Sequence, residues 1–520
     1  MGRPFNVLQI GGRSLDYLFA QKPEVTWNYM DTQRFHNDSD WVGNVEALFE
    51  AIGSFDLVFI QTPCTDSLGE LLTLVCTPYN TLVDYHYWQT GYKALEVVKK
   101  YDVRPIHYAD EEALHDKLLA LSFPGQYGDK VSPAHTHMHT SDAVNVTYYG
   151  HKEVQCEGDF GDTFRPLLSW RKNLVYDRDK VIEIWPEFYT EGDVELEYVV
   201  RLLSLNPEEG VLETITLNEQ ALAQPLYLTR RPYTAYIAVA VRARYSGVVH
   251  IGAIHKRLSR IEFGQLLLGG ERFVDERREE FFYYFHPGDF KPPLNVYFSG
   301  YREAEGFEAY YLMQQLDAPF LLISDPRIQG GAFYLGSTTF ENGIKQVIQQ
   351  TLEILGFSYD ACIFSGLSMG SFGALYYGAQ LHPKAINVGK PLVNIGTIAQ
   401  NMKLLRPQDF ETSLDIALAH QSEVVDPDTR MSKLNQKFWD VFTNSDLYHT
   451  SVAMTYMEHD DYDHSAFHDL LPVLSRQHVH LMNKAVPGRH NDDTATVVNW
   501  FMNFYYILLK DHFGRDVHAN

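Results

Sequence analysis

A serine flanked by two glycines stands at Gly366-Leu367-Ser368-Met369-Gly370, the spacing G-x-S-x-G. The apolar run Ala361 to Phe364 precedes it, and Phe372, Leu375, Tyr376 and Ala379 follow at helical spacing, so the stretch reads as strand, sharp turn and helix. At such an elbow the serine occupies a strained backbone position above the sheet, with the helix N-terminus behind it. The Met369 N–H is then placed to stabilise a developing oxyanion. A hydroxyl needs a base to become a good nucleophile. His490, in Val486-Pro487-Gly488-Arg489-His490-Asn491-Asp492, follows the last apolar run and precedes a terminal helix capped by Asp492 or Asp493. Glu458 directly follows the apolar run Ser451 to Met457. His490 would take the proton from Ser368, and Glu458 would fix its tautomer and stabilise the imidazolium.

The acid is chosen from a crowded loop. Glu458-His459-Asp460-Asp461-Tyr462-Asp463 offers four carboxylates. Glu458 is nearest the strand end and has the longer reach, and Asp461 and Asp463 are the alternatives. His464, His468, His478 and His480 are less well placed as the base. A second oxyanion donor is expected in Ser299-Gly300-Tyr301-Arg302, at the Tyr301 N–H or its neighbour, because Gly300 permits close backbone approach. The loop from Asp325 to Gly331 is expected to border the substrate cleft.

These residues need elements to hold them. The order nucleophile, acid, histidine is that of the α/β-hydrolases, and residues 290 to 520 alternate strand and helix accordingly. Residues 400 to 448 interrupt that alternation and read as a cap insertion over the site, where Phe438, Trp439 and Phe442 could help shape a cleft. From 150 to 285 the pattern becomes short alternating strands between Pro, Gly and Asn turns, which predicts a β-sandwich of the kind that binds sugars or partners. Trp170, Trp185 and Tyr189 could stack on a pyranose there, or simply be core.

Residues 1 to 145 read as an α/β domain, with strands at Phe5 to Ile10 and Phe55 to Ile60 around a helical stretch near Val45 to Ile52. Gly11-Gly12 lacks the third glycine of a dinucleotide fingerprint, so no bound cofactor is expected. His135, His137 and His139 could converge on a metal from one face of a strand. No carboxylate or cysteine accompanies them, so a polar strand or linker at a domain edge is favoured and no metal is expected.

A formal net charge of -24 over 520 residues argues against a nucleic-acid surface and against adsorption to anionic lipid. Four scattered cysteines, Cys64, Cys76, Cys156 and Cys362, without CxxC spacing read as reduced thiols of a cytoplasmic protein. No signal peptide or membrane span is read from the sequence.

Taken together, Val7 to Gly11, Ile323 to Arg327, Gly330 to Tyr334, the Gly366 to Gly370 elbow and the Glu458 to Asp463 run resemble the second accessory secretory protein family of the bacterial accessory Sec system, over essentially the full length. The resemblance implies a fold similar to serine esterases. It also implies O-acetylation of N-acetylglucosamine on serine-rich-repeat glycoprotein adhesins, and export of those adhesins with two sibling accessory proteins and a dedicated Sec motor, which would bring the chain to the membrane periphery. It assigns the nucleophile, acid and base to Ser368, Glu458 and His490. The acyl donor is left open, and so are two other readings: a plain carbohydrate esterase, and an export scaffold or chaperone with a vestigial triad.

Overall fold

Strands covered on both faces are apolar throughout, whereas strands with one wet face alternate, and the chain uses both kinds in separate regions. The computed structural model describes residues 3–32, 49, 53–139, 144–406, 412–420 and 426–516. Near the N-terminus β1 (Phe5–Gly11), β2 (Val25–Met30), β3 (Leu57–Gln61), β4 (Thr81–Asp84) and β5 (Arg104–Ile106) form a parallel sheet in the order β2-β1-β3-β4-β5. Helices α1 (Asp66–Val75) and α2 (Glu111–Leu121) cover it, each started by a side-chain cap, Thr65 and Asp110. Most of the helical stretch expected near 45 to 52 lies outside the described residues.

Two antiparallel sheets follow. One runs β14 (Val211–Asn218), β13 (Glu195–Ser204), β16 (Ala235–Arg244), β10 (Arg165–Trp170), β7 (Thr136–Met138), with β11 (Leu174–Tyr176) also on β16. The other runs β15 (Leu226–Leu228), β12 (Ile182–Gly192), β17 (Ser246–Leu258), β9 (Glu153–Asp159), β8 (Val144–Tyr149), with β6 (Gly128–Val131) also on β17. Their inner faces share one core of Leu168, Leu196, Tyr198, Ile184, Phe188 and Val249, which makes the pair a sandwich. Two expected boundaries shift. Strands β6 and β7 draw residues before 145 into the sandwich, and β18 (Gly270–Val274) and β19 (Glu280–His286) leave it for the next sheet. The unbroken aromatic run Phe281 to Phe285 reads the same in either setting, so the pattern alone does not assign its partner sheet.

The C-terminal sheet has eight strands, adding β20 (Leu294–Phe298), β21 (Phe320–Ser324), β22 (Cys362–Leu367), β23 (Ala385–Gly389), β24 (Ser451–Met457) and β25 (His480–Val486) in the order β18-β19-β21-β20-β22-β23-β24-β25. From β21 to β25 it is parallel, and β20 to β23 are almost wholly buried. Helices α3 (Thr338–Leu355), α4 (Met369–Leu381), α8 (Ala466–Arg476) and α9 (Thr494–Phe513) flank it. Between β23 and β24 stand α5 (Ile395–Leu405), α6 (Thr412–His420) and α7 (Pro427–Thr443); α6, α7 and the second half of α5 fall in the span read as a cap, of which residues 407–411 and 421–425 are outside the described residues. Phe438 and Phe442 do not line a cleft. They are fully buried, and Phe438 lies 5.4 Å from the Phe372 ring on α4. Trp439 ties its Nε1–H to Asn394 Oδ1 at 2.8 Å.

The sandwich grips the C-terminal sheet through buried charge. His255 Nδ1 meets Glu305 Oε1 at 2.5 Å and its Nε2 meets Glu187 Oε1 at 3.0 Å. Arg257 donates to Glu305 at 2.5 Å and also pairs with Glu280 and Glu183. Lys130 donates to the Pro326 carbonyl, and Lys152 pairs with Glu279, which also accepts from Arg327 at 2.6 Å. Each charge is taken from water together with its partner, which is the condition for burying ions without a large penalty.

Candidate active site

The expected elbow is present. Strand β22 ends at Leu367, α4 begins at Met369, and Ser368 between them has φ 53 and ψ −120. That backbone lies outside the ordinary wells for a residue with a Cβ, so packing must impose it. The two glycines explain how. A Cβ on Gly366 would collide with the Gly370 carbonyl, and one on Gly370 with the Phe298 carbonyl of β20. The turn is also pinned from below, because the Ser368 N–H donates to the Gly389 carbonyl at 2.8 Å and the Ser371 hydroxyl to the Ser368 carbonyl at 2.5 Å. Helix α4 is buried from Met369 to Ala379, with no wet face.

Ser368 Oγ lies 2.8 Å from His490 Nε2. His490 sits between β25 and α9, as expected, and is 1% exposed. Its Nδ1 lies 2.7 Å from Asp460 Oδ2, not from Glu458. This corrects the sequence assignment of the acid. Glu458 is exposed, and its backbone N–H continues the pairing of β24 with β25 by donating to the Val486 carbonyl at 2.9 Å. The chain then turns inward. Asp460 Oδ1 accepts from the amides of Tyr462 and Asp463 at 2.8 and 3.2 Å, an Asx-type turn that aims Oδ2 at the histidine.

The two alternative acids serve as braces. Asp461 Oδ1 accepts from the His490 N–H at 3.1 Å. Asp463 accepts from the amides of Val393 and Asn394 at 2.8 and 2.7 Å. Burial pushes the Asp460 carboxyl up, but hydrogen bonds and charge from His490 and the two amides outweigh it, so its pKa falls below the ordinary carboxylate value. For Asp463 burial wins, and its pKa rises. The Tyr462 ring stacks on His490 with centroids 4.2 Å apart and planes 2° apart, and the Arg406 guanidinium lies 3.8 Å from the Tyr462 ring centroid. Neither contact was evident from the sequence.

Two loops border Ser368. In the first, the Gly300 amide donates to Glu308 Oε2 at 2.6 Å, the Arg302 amide donates to the Gly330 carbonyl at 3.2 Å, and Tyr301 lies between with its ring against Gly330. A Cβ on Gly300 would sit 3.2 Å from the Leu367 carbonyl, so this loop runs directly beside the elbow. The second is the Asp325 to Gly336 loop, where Asp325 Oδ2 accepts from the amides of Ala332 and Tyr334 at 3.0 and 3.1 Å, and Gly331 packs on the Met369 side chain. The Met369 amide opens α4, where the first amides have no acceptor within the helix. Lys390, next after the Gly389 that holds Ser368, is buried and donates to Thr494 Oγ1 at 2.9 Å.

Other sequence candidates lie elsewhere. Trp170 and Trp185 are buried in or beneath the sandwich, Trp185 under Arg278 at 3.7 Å, whereas Tyr189 stacks on His250 at a cleft. His137 and His139 meet edge to face at 4.8 Å, His139 Nε2 is 3.0 Å from Ser169 Oγ, and His135 ends a short 3₁₀ turn. Among the described residues no three His, Cys, Asp or Glu side chains gather as a metal site. No helix among them is long and apolar enough to cross a membrane.

Comparison with known proteins places this geometry. The family model described as "Accessory Sec system GspB-transporter" matches residues 5–515. The chain belongs to this family, the second accessory secretory proteins. It is 53% identical over 519 residues to the member from Staphylococcus aureus, an accessory Sec system protein, covering 100% of this chain and 99% of that protein. It is 42% identical over 422 residues to the corresponding accessory Sec system protein of Streptococcus gordonii, covering 80% and 81%. A solved chain from the Glycosylation Associate Protein (Gap123) complex of Streptococcus agalactiae superposes with TM-score 0.87 at 33% identity, over 98% of this chain and 99% of that one. The family resemblance read from the sequence is therefore borne out at full length.

Proposed function

We propose that this chain is a serine-dependent O-acetyltransferase of the α/β-hydrolase class, acting on N-acetylglucosamine of serine-rich-repeat glycoprotein adhesins. The observation that carries the reading is the continuous line Ser368 Oγ, His490 Nε2, His490 Nδ1, Asp460 Oδ2, at 2.8 and 2.7 Å, on a strained elbow. His490 accepts the Ser368 proton as the hydroxyl attacks the acetyl carbonyl, and Asp460 stabilises the imidazolium. The Met369 amide, with that of Tyr301 as second donor, receives the oxyanion. His490 then protonates the leaving group. In the second half-reaction it takes the proton of a sugar hydroxyl, which attacks the acetyl-serine and regenerates Ser368. Transfer requires the sugar to outcompete water, so the acceptor must be held in position.

The family's description as an accessory Sec transporter, and the complex in which the Streptococcus agalactiae relative was solved, support a place beside sibling accessory proteins and the accessory Sec motor at the cytoplasmic face of the membrane. In this reading residues 290 to 520, with β18 and β19, carry catalysis, while the sandwich and the N-terminal sheet serve glycan or partner binding. The test is intact-mass spectrometry and product release with p-nitrophenyl acetate, with and without an N-acetylglucosamine acceptor. An acetyl adduct lost in Ser368→Ala and His490→Ala, and acceptor-dependent turnover, are expected. Adduct formation with only water as acceptor would make it an esterase. If wild type and Ser368→Ala are equally inert and both support adhesin export, the chain is a scaffold and the proposal fails.

A further inference from the structure

A cleft of about 410 Å³ lies where β9 and β17 of the sandwich face the start of α3 and the Asp325 to Gly336 loop, and the acyl-transfer chemistry makes no use of it. That volume is within the range of sites that hold small molecules. Its charges balance: Lys152, Arg277 and Arg327 face Glu153, Glu276 and Glu279. The deep ones are also spoken for. Glu279 takes both Lys152 and Arg327, Arg327 holds Asp325 at 2.8 Å, and Glu153 Oε1 is 3.1 Å from His250 Nδ1. Such a wall offers a free ion little net attraction but presents many donors and acceptors, which is the complement of a neutral polyol.

The aromatic part of the wall points the same way. Tyr189 and His250 stack in parallel at 4.0 Å with planes 8° apart, and the Arg277 guanidinium is 5.4 Å from the Tyr189 ring centroid. His250 is 7% exposed, and its Nε2 has no hydrogen-bond partner; the nearest carboxylate oxygen, on Glu191, is 3.6 Å away, beyond bonding distance. That nitrogen is shielded from the cleft, so the ring meets a ligand through its stack with Tyr189 and through the Glu153 carboxylate that its Nδ1 holds at 3.1 Å.

We infer that this cleft is a second saccharide-binding site, sized for a mono- or disaccharide of neutral glycan. The inference rests on the proposed glycan acceptor, of which it would hold a further portion. Its link to the nucleophile is the shared loop: Ile328 and Ala332 line the cleft, while Gly331 between them packs on the Met369 side chain.

The test titrates N,N′-diacetylchitobiose into full-length Ser368→Ala protein by calorimetry, with saturation-transfer NMR to detect weak binding. In that background His250→Phe, which keeps the stack on Tyr189 but releases the cleft-lining Glu153 from Nδ1, should weaken binding by about fivefold, the worth of one positioned hydrogen bond. Arg277→Ala, at an exposed position that does not threaten folding, should also weaken it. In protein retaining Ser368, both variants should form the acetyl adduct from p-nitrophenyl acetate at the wild-type rate. Absence of binding, or binding indifferent to both substitutions, overturns the inference. Adduct formation without saccharide binding defeats the site and leaves the enzyme. Cleft-dependent binding without any adduct upholds the site and defeats the acetyltransferase.

Discussion

Exchanging Asp460 for Asn tests the acid assignment most sharply, because it keeps shape while reversing a proton. Asp460 Oδ1 is held by the Tyr462 and Asp463 amides at 2.8 and 3.2 Å, so the oxygen of an amide at 460 would stay on those donors and its NH₂ would face His490 Nδ1. Nδ1 must then accept, which moves the ring proton to Nε2. Ser368 Oγ, 2.8 Å from Nε2, loses its base. The equivalent tautomer error in a serine protease costs about 10⁴-fold, so a loss of 10³- to 10⁴-fold is expected, roughly 4–5 kcal/mol of barrier. Glu458→Gln, at an exposed side chain, should change the rate by less than about twofold, as surface substitutions usually do. The assay is stopped-flow release of p-nitrophenol from p-nitrophenyl acetate, with circular dichroism to show that each variant is folded. If Glu458→Gln loses as much as Asp460→Asn, or Asp460→Asn keeps more than about a tenth of the rate, the assignment of Asp460 from its hydrogen bonds is wrong.

Gly370→Ala should abolish Ser368 labelling by fluorophosphonates or prevent folding, since its Cβ would collide with a backbone carbonyl of β20 that cannot swing away; normal labelling would contradict the packing account. Phe438→Ala, at a fully buried ring packed against α4, should cost about 3–5 kcal/mol in urea denaturation, and a cost under about 1 kcal/mol would show that the cap is loosely docked. Burial would lower the His255 pKa, but Glu305 and Glu187 outweigh it and raise it to about 9. A raised pKa means that the stabilisation is complete below the ordinary histidine value of 6.5 and is lost as pH rises through about 9, so Tm should fall across that interval; a flat profile would refute the paired imidazolium. For Asp460, whose pKa is lowered, the sign is opposite: its contribution is present above the ordinary carboxylate value and is lost as pH falls through the lower folded one.

The Ser368 elbow and the placement of His490 were legible because each is tied to a local pattern. Gly366 and Gly370 mark a turn that only glycines permit, and His490 follows the last strand at the edge of a helix start. The acid was not, since proximity to the strand end favoured Glu458, whereas the choice depends on a turn made two residues later. No residue type marks the choice, since Asp460, Asp461 and Asp463 are each followed by amides they could cap; it is the fold of the loop that gives the Tyr462 and Asp463 amides to Asp460. The parallel sheets were readable from their apolar strands, but the sheet to which β18 and β19 belong was not, because the aromatic run of β19 records burial and not a partner. Aromatic residues in the cap span read as cleft-lining turned out to be core at Phe438 and Phe442, a distinction that composition does not encode.

The charged grip of the sandwich on the C-terminal sheet bears on whether the portion that carries Ser368 could ever be a portable part. A chain cut near residue 265 would retain every strand of the eight-stranded sheet and the whole Ser368, His490, Asp460 line. It would also lose Arg257, His255, Lys152 and Lys130, leaving Glu305 without the cations it faces, Glu280 with Arg272 alone at 3.8 Å, and Glu279 with Arg327 alone. Freed of counter-charges, the Glu305 loop would reach for solvent, and with it the backbone beside the elbow. The covalent boundary and the physical boundary of the C-terminal unit therefore do not coincide, and the sandwich is part of what holds the Ser368 elbow in place.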